Sequence, residues 1–303
     1  MTKSILLTIF TPTYNRAHFL NRLYESLERQ TDFDFEWIVV DDGSSDNTPS
    51  LMKELCSMES AFPIKYFQIN NGGKHRAINK GVKEASGKWF LILDSDDWLS
   101  NDAVALIKRR ITTIENDDRF CGIAGLRVTP ELKTIGNECY YETLDTTFFD
   151  YRFKLKIHGD RAEIIKTDIM REYPFPEFES EKFLGEAIIW NSMSSQYLTR
   201  FTNDKFYICE YQPGGLTDTF NKKMDENPFG AMLNQLSIIN HKNCPLEFWL
   251  FANFKYWHYW KIAKRLKQSI PSNLNPTVTM KIFSLFNPII CNTVKLRKRI
   301  KYK

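Results

Sequence analysis

Trp89-Phe90-Leu91-Ile92-Leu93-Asp94-Ser95-Asp96-Asp97 runs five apolar residues into three carboxylates. A short apolar run ended by polar residues reads as a strand buried on both faces. Carboxylates at the C-terminal end of such a strand stand where open α/β sheets bind their ligands. Two carboxylates one residue apart repel each other, and a divalent cation bridging them to a second anion such as a diphosphate removes that cost. A calcium loop of the EF-hand type does not fit. Counting from Asp94, its fifth, sixth and twelfth positions hold Trp98, Leu99 and Ala105. Asp96 or Asp97 could instead cap the helix that follows. The stretch predicts a metal–nucleotide site on an α/β sheet.

Working outward, strand-like runs at 5–11, 36–41, 64–69, 89–93 and 120–128 alternate with helical spacings. Leu20, Leu23 and Leu27 recur at helical period, as do Ile78 and Val82, then Val104, Ile107, Ile111 and Ile114. Ser45-Asp46-Asn47-Thr48 offers cap chemistry for a helix over 49–58, and Asn101-Asp102 for one over 103–116. This alternation predicts right-handed crossovers and a mostly parallel sheet. Beyond 131, a strand is expected at 162–166 and a break at Tyr173-Pro174-Phe175-Pro176. A helix over 181–196, an extended stretch over 197–211 and a turn at Gly214-Gly215 follow. From 228 the chain reads as helical and aromatic, with Ala252, Tyr256, Tyr259, Ala263 and Leu266 at spacings of four and three.

Three further strand ends carry ligand chemistry. Thr11-Pro12-Thr13-Tyr14-Asn15-Arg16 lacks the glycines of a dinucleotide fingerprint, which disfavours a nicotinamide or flavin dehydrogenase. It offers hydroxyl and guanidinium donors and a stacking ring instead. Val40-Asp41-Asp42-Gly43 ends a buried strand in acid, where a carboxylate can accept from a base or a ribose; a plain turn explains Asp42-Gly43 but not Asp41. Asn70-Asn71-Gly72-Gly73-Lys74-His75-Arg76-Ala77-Ile78-Asn79 opens a helix with glycines and two cations, suited to an anion, though it is not a Walker A loop and taken alone also reads as a solvated helix start.

The 303 residues carry a net charge of +4. Residues 295–303 hold six Lys or Arg and no acid, so the remainder stands at −2. The basicity is in the tail, and no recognition motif supports nucleic acid as a partner. The six cysteines form no Cys-x-x-Cys pair, which argues against zinc and thioredoxin-type chemistry. No secretory leader is evident and no apolar stretch reaches about 18 residues. These features predict reduced thiols in a cytoplasmic protein.

Taken in order, Thr11-Pro-Thr-Tyr-Asn-Arg, Val40-Asp-Asp-Gly-Ser-Ser-Asp-Asn-Thr, Asn71-Gly-Gly-Lys-His-Arg-Ala-Ile-Asn and Asp94-Ser-Asp-Asp resemble the nucleotide-sugar half of a family 2 glycosyltransferase with the GT-A fold. The resemblance covers about 1–130. Residues 131–225 are more loosely similar to an acceptor-binding half, and 226–303 form a helical, aromatic and basic extension. It implies inverting transfer of a sugar from a UDP- or GDP-linked donor, with Mg²⁺ or Mn²⁺, to a hydroxyl of a glycan or lipid-linked acceptor in bacterial cell-surface polysaccharide synthesis. By position, Thr11, Pro12, Thr13, Tyr14, Arg16, Asp41, Gly73, Lys74, Arg76, Asn79, Asp94 and Ser95 would bind the nucleotide sugar. Thr11, Tyr14 and Asp41 would hold the base, Arg76 would lie near the base or diphosphate, and Asp94 would reach the ribose or the donor sugar. Asp96 would ligate the metal. The general base of the family is a carboxylate on a later helix. Glu181 is the first candidate, with Glu186 and Glu179 as alternatives and a solvated helix charge as the bland reading. Lys182 stands where a second acid is common, which leaves an inactive nucleotide-sugar-binding partner subunit as the other reading. Asp160 could line the acceptor site or simply sit in a turn. The ordered set argues against a nucleotidyltransferase or phosphohydrolase.

In the C-terminal region, Trp249, Phe251, Phe254, Tyr256, Trp257, Tyr259 and Trp260 mix with Lys255, Lys261, Lys264, Arg265 and Lys267. With the tail they suit peripheral contact with an anionic membrane at its inner face, at roughly 1 kcal/mol per basic residue near the surface; the alternative is that the aromatics pack onto the catalytic domain and the tail is solvated.

Overall fold

The computed structural model describes residues 5–138, 142–212 and 216–285. It divides into two compact units, Met1–Thr219 and Phe220–Lys303. The first is built on β1 (Leu7–Thr13), α1 (Ala17–Glu28), β2 (Phe35–Asp41), α2 (Thr48–Ser57), β3 (Ile64–Gln68), α3 (Lys74–Glu84), β4 (Trp89–Ile92), β5 (Trp98–Leu99), α4 (Ala103–Ile111) and β6 (Phe120–Val128). It continues through β7 (Thr143–Thr146), a π-helical turn at Asp150–Lys154, β8 (Arg161–Lys166), α5 (Thr167–Glu172), α6 (Ala187–Met193) and β9 (Leu198–Ile208).

The sheet order is β3-β2-β1-β4-β8-β6-β9-β5, with β7 paired to β9. The ladders among β3, β2, β1 and β4 are all parallel, as the alternation predicts. Beyond β4 the expectation of a mostly parallel sheet gives way to mixed pairing. β8 inserts antiparallel between β4 and β6, β6 and β9 run parallel, and β5 and β7 pair antiparallel with β9.

β1 and β2 are buried at every position because helices cover both faces. On one face Leu7, Ile9, Trp37, Val39 and Leu91 pack with Leu20, Leu23 and Leu27 of α1 and with Ile107 and Ile111 of α4. Each such side chain contributes about 1.5–3 kcal/mol by leaving water. On the other face Gly81 of α3 lies so close to the Phe10 ring that an added Cβ would stand 2.2 Å from it. A buried carboxylate also ties the sheet together. Glu36 accepts from Thr8 Oγ1–H at 2.7 Å and from the Ser86 amide, and pairs with Lys65 Nζ at 2.7 Å.

One cap falls within the expected stretch: Asp46 accepts the Thr48 amide at 2.9 Å. Asp102 makes no cap bond; the carboxamide of Gln30 accepts the Val104 amide at 3.0 Å. The helix expected over 181–196 forms only at 187–193, and 173–186 is irregular after the prolines. β5 and β7 are too short for a sequence pattern to announce. The Gly214-Gly215 turn and the tail at 295–303 lie outside the described residues, as do Cys139 and Cys291. Cys56, Cys121, Cys209 and Cys244 are free thiols, as expected.

The second unit holds most of α7 (Leu216–Glu226), then α8 (Pro228–Ile239), α9 (Leu246–Arg265) and α10 (Val278–Ser284). Ala252, Tyr256, Tyr259 and Ala263 form the buried stripe of α9. Leu266 does not join them: the helix ends at Arg265, and Leu266 is exposed.

Candidate functional site

The parallel ladders bring the ends of β1, β2 and β4 to one edge. At the exit of β1, Pro12 pairs with Val40 in the ladder. Thr11 and Thr13 are buried, and Thr11 Oγ1 accepts the Trp37 indole N–H at 3.0 Å. Tyr14 stands 48% exposed. Asn15 adopts a positive φ of 52°, where its side chain accepts the Ser45 amide at 2.8 Å. This turn aims Arg16 at Asp96, with Nη1 3.1 Å from Oδ2.

Asp41, expected at a nucleobase, is fully buried. It accepts from the Ser44 amide at 2.8 Å and the Tyr66 hydroxyl at 2.7 Å. The neighbouring Asp42 does what its turn reading did not suggest. Its two oxygens accept the Gly72 and Gly73 amides at 2.7 and 2.8 Å. Burial raises its pKa against those two bonds. The helix N-terminus read as an anion site thus binds an anion from its own chain. A concave surface lined by Gly43, Gln68, Ile69, Asn70 and Asn71 lies beside this turn.

The glycines serve a close approach by another part of the chain. Gly73 has φ +100°, and an added Cβ would stand 1.9 Å from the Lys182 carbonyl oxygen. Arg76 Nη2 donates to the Phe178 carbonyl at 2.9 Å. Asn79 donates to the Phe175 carbonyl at 2.9 Å and accepts the Phe175 amide at 2.8 Å. Lys182 Nζ donates to Asn71 Oδ1 at 2.7 Å. These side chains of α3 and its loop fasten the segment 175–182. His75 is buried.

Lys74 points the other way. Its Nζ lies 2.5 Å from Asp94 Oδ1 and 2.7 Å from Glu186 Oε1. Burial works against its charge, but the two carboxylates hold its pKa above the ordinary lysine value. Arg127 Nη1 reaches Asp94 Oδ2 at 3.4 Å. Burial disfavours the Asp94 anion, and Lys74 and Arg127 outweigh that and lower its pKa. Ser95 is buried. Asp96 remains a quarter exposed, and its backbone carbonyl accepts from Arg22 at 2.8 Å. Asp97 does not cap α4. The Asp94 amide donates to the Tyr207 hydroxyl at 2.9 Å, and that hydroxyl hydrogen-bonds Asp97. Burial and then the Asp94 charge push Asp97 up to about 7.

Among the base candidates, Glu181 lies in the irregular segment and is fully buried, so it is neither on a helix nor a solvated charge. Glu179 is exposed. Glu186 sits at the N-cap position of α6 and meets Lys74. Sequence reasoning missed Arg127, Glu163 and Tyr207. Burial pushes Glu163 up to about 8 against the pull of Arg127, and the charges of Glu186 and the exposed Asp160 add to the rise. These residues come from β6, β8 and β9, where no motif marks them.

Among the described residues, no group of three or more His, Cys, Asp or Glu side chains converges as a metal cage. A Mg²⁺-type ion needs no such cage. It is held by one or two carboxylates while phosphates and waters complete its shell, and Asp96 fits that role.

A family model described as glycosyl transferase family 2 matches residues 8–148. The glycosyltransferase GlyA of Streptococcus pneumoniae serotype 4 (strain ATCC BAA-334 / TIGR4) is 32% identical over 253 residues, 80% of this chain and 36% of the relative. The chain spans about a third of the length of the first curated relatives it matches. Among solved structures, S. aureus TarS 1–349 in complex with UDP-GlcNAc superposes with a TM-score of 0.60 at 19% identity, over 86% of this chain and 73% of that one. The mannosyltransferase PcManGT from Pyrobaculum calidifontis, in complex with GDP-Man and Mn²⁺, gives 0.56 at 15% identity, over 95% and 81%.

Proposed function

Residues 8–148 belong to glycosyltransferase family 2, and from that premise we propose that the chain transfers a sugar, with inversion, from a UDP- or GDP-linked donor to a hydroxyl of a glycan or lipid-linked glycan. The observation that carries the proposal is the Lys74 bridge between Asp94 and Glu186. It joins an acid following β4 to an acid at the start of α6. Inverting transfer needs a donor-side group and a proton acceptor close to one another, because the acceptor hydroxyl attacks from the face opposite the departing diphosphate. The carboxylate that takes its proton must therefore stand across the sugar from the leaving group.

In this reading Tyr14 offers an exposed ring to the base, while Thr11, Thr13 and Asp41 hold the strand ends beneath it. Gly73, Arg76 and Asn79 shape the loop 175–182 instead of reaching for phosphate. Asp94 and Ser95 face the ribose or the donor sugar, and Arg16 and Lys74 add positive charge for the diphosphate. Asp96 would hold Mg²⁺ or Mn²⁺, which when bound neutralises the charge building on the leaving diphosphate. Glu186 is the general base, in preference to the buried Glu181. A lipid-carried acceptor would place the reaction at the inner face of the cell membrane.

The test is nucleoside diphosphate release from a panel of UDP- and GDP-sugars with Mn²⁺. The wild-type chain should hydrolyse one donor slowly, which also excludes an inactive partner subunit. Asp96→Ala should abolish release at an unchanged melting temperature, since a partly exposed carboxylate adds little stability. Glu186→Gln should still be stabilised by the donor but lose about 10²- to 10⁴-fold in transfer. Undiminished transfer by Glu186→Gln would remove it from this role, and no release from any donor would sink the proposal.

A further inference from the structure

The second unit carries an apolar helix face exposed to solvent. Met280 of α10 is fully buried, and its carbonyl accepts the Trp257 Nε1–H at 3.2 Å. Phe283 meets the Trp249 ring edge-on at 5.4 Å. Later residues of α10 thus meet earlier residues of α9, and the two helices run antiparallel. The outer face of α10 and its C-cap present Val278, Ile282 and Leu285, which are 71%, 55% and 76% exposed at spacings of four and three. Leu246 and Phe251 of α9 are exposed as well.

The charge along α9 and α10 is mostly positive: Lys255, Lys261, Lys264, Arg265 and Lys281 stand against Glu247, which follows Leu246. From Phe248 to Lys303 the sequence contains twelve Lys or Arg and no Asp or Glu. Lys255 lies over the Phe251 ring at 4.9 Å and Lys264 over the Trp260 ring at 5.5 Å, two cation–aromatic pairs on opposite flanks of α9. Lys281 precedes Ile282 directly. A partner for this surface must take up aliphatic side chains and balance a dense positive charge together. Nucleic acid would balance the charge, but its phosphates offer nothing to Val278, Ile282 and Leu285. An anionic bilayer does both, with aliphatic groups at the acyl boundary and lysines among the headgroups. No described helix is long and apolar enough to cross a membrane. We propose that α9 and α10 form an interfacial element that lies on an anionic lipid surface, with Val278, Ile282 and Leu285 entering it.

The test is co-sedimentation of the full chain with vesicles of phosphatidylcholine alone and of phosphatidylcholine with 30% phosphatidylglycerol. Binding to the anionic vesicles only, weakened at high salt, is expected. Ile282→Asp with Leu285→Asp should lower partitioning by about tenfold or more, because each exposed side chain loses its apolar burial. Ile282→Ser with Leu285→Ser should weaken it in the same direction without new negative charge. Both pairs are exposed, so circular dichroism melts should match wild type, and nucleotide-sugar hydrolysis on the same samples should be unchanged. Absence of binding to anionic vesicles overturns the proposal. So does binding that both double substitutions leave intact, the result expected if residues 286–303 cover this face. Displacement of the chain from vesicles by single-stranded RNA, with the substituted chains keeping full RNA affinity, overturns it in favour of nucleic acid.

Discussion

His75 is 1% exposed, and neither ring nitrogen has a hydrogen-bond partner among the described residues. Burial, with the Arg76 charge beside it, pushes its pKa down from 6.5 to about 4. Above about pH 6.5 the imidazole is neutral in both states and its titration contributes nothing. Between pH 6.5 and 4 the unfolded chain binds a proton that the folded chain refuses, so stability falls as pH falls. At about 1.36 kcal/mol per pH unit, this one residue should remove roughly 3 kcal/mol by pH 4. Many carboxylates titrate over the same range, so the measurement is a difference. Urea midpoints of wild type and His75→Gln, taken from pH 7 to pH 4, should converge or cross as the wild type loses its extra increment. Parallel curves would show that His75 protonates without cost in the folded state.

At the scale of elements, α3 is the joint of the site. Asp42 holds its first amides, Arg76 and Asn79 hold the segment 175–182, and Lys74 crosses to Asp94 and Glu186. Gly73 makes this arrangement possible, with φ +100° and ψ 157°, a region open essentially to glycine alone. In Gly73→Ala the backbone strain costs about 1–3 kcal/mol, and the Lys182 carbonyl must also give way. The urea midpoint should drop accordingly, and amides of 178–189 should exchange faster while those of α1 keep their order. An alanine variant with wild-type protection across 178–189 would show that the contact with Lys182 is dispensable. The sequence exposed the donor-side elements well and this joint poorly, for a physical reason. A strand covered on both faces must be apolar throughout, so Trp37–Val40 and Trp89–Leu93 announce themselves. Arg76 and Asn79 find their partners 96 to 102 residues away, and no local pattern records such a bond. The expected helix at 181–186 fails because Glu181 is drawn into the interior, where tertiary packing overrides local propensity. Tyr207, 113 residues from Asp94, could not have been placed beside it from spacing.

Across the whole first unit, one continuous sheet carries both sides of the site. β4 lies between β1, parallel to it, and β8, antiparallel to it. The chain can therefore bring Asp94 at the β4 exit together with Arg127 of β6 and Glu186, although long stretches separate them in sequence. Every side chain assigned here to donor, metal or acceptor belongs to the unit Met1–Thr219. A ligand held by so many elements of one unit must stabilise that unit as a whole. The slowest-exchanging amides of β1 and β2 open only when the sheet opens, so they report the full linkage. At about 100 times its dissociation constant, the preferred nucleotide sugar with Mn²⁺ should add roughly 2.7 kcal/mol. Exchange at Ile9, Phe10, Ile38 and Val39 should slow by about a hundredfold. Asp96→Ala should lose most of that protection while keeping its ligand-free exchange rates, because on this proposal the carboxylate would hold the ion, and it meets Arg16 outside the core. Equal slowing in wild type and Asp96→Ala would mean that the donor is held without the ion, and Asp96 would then be a partner of Arg16 alone.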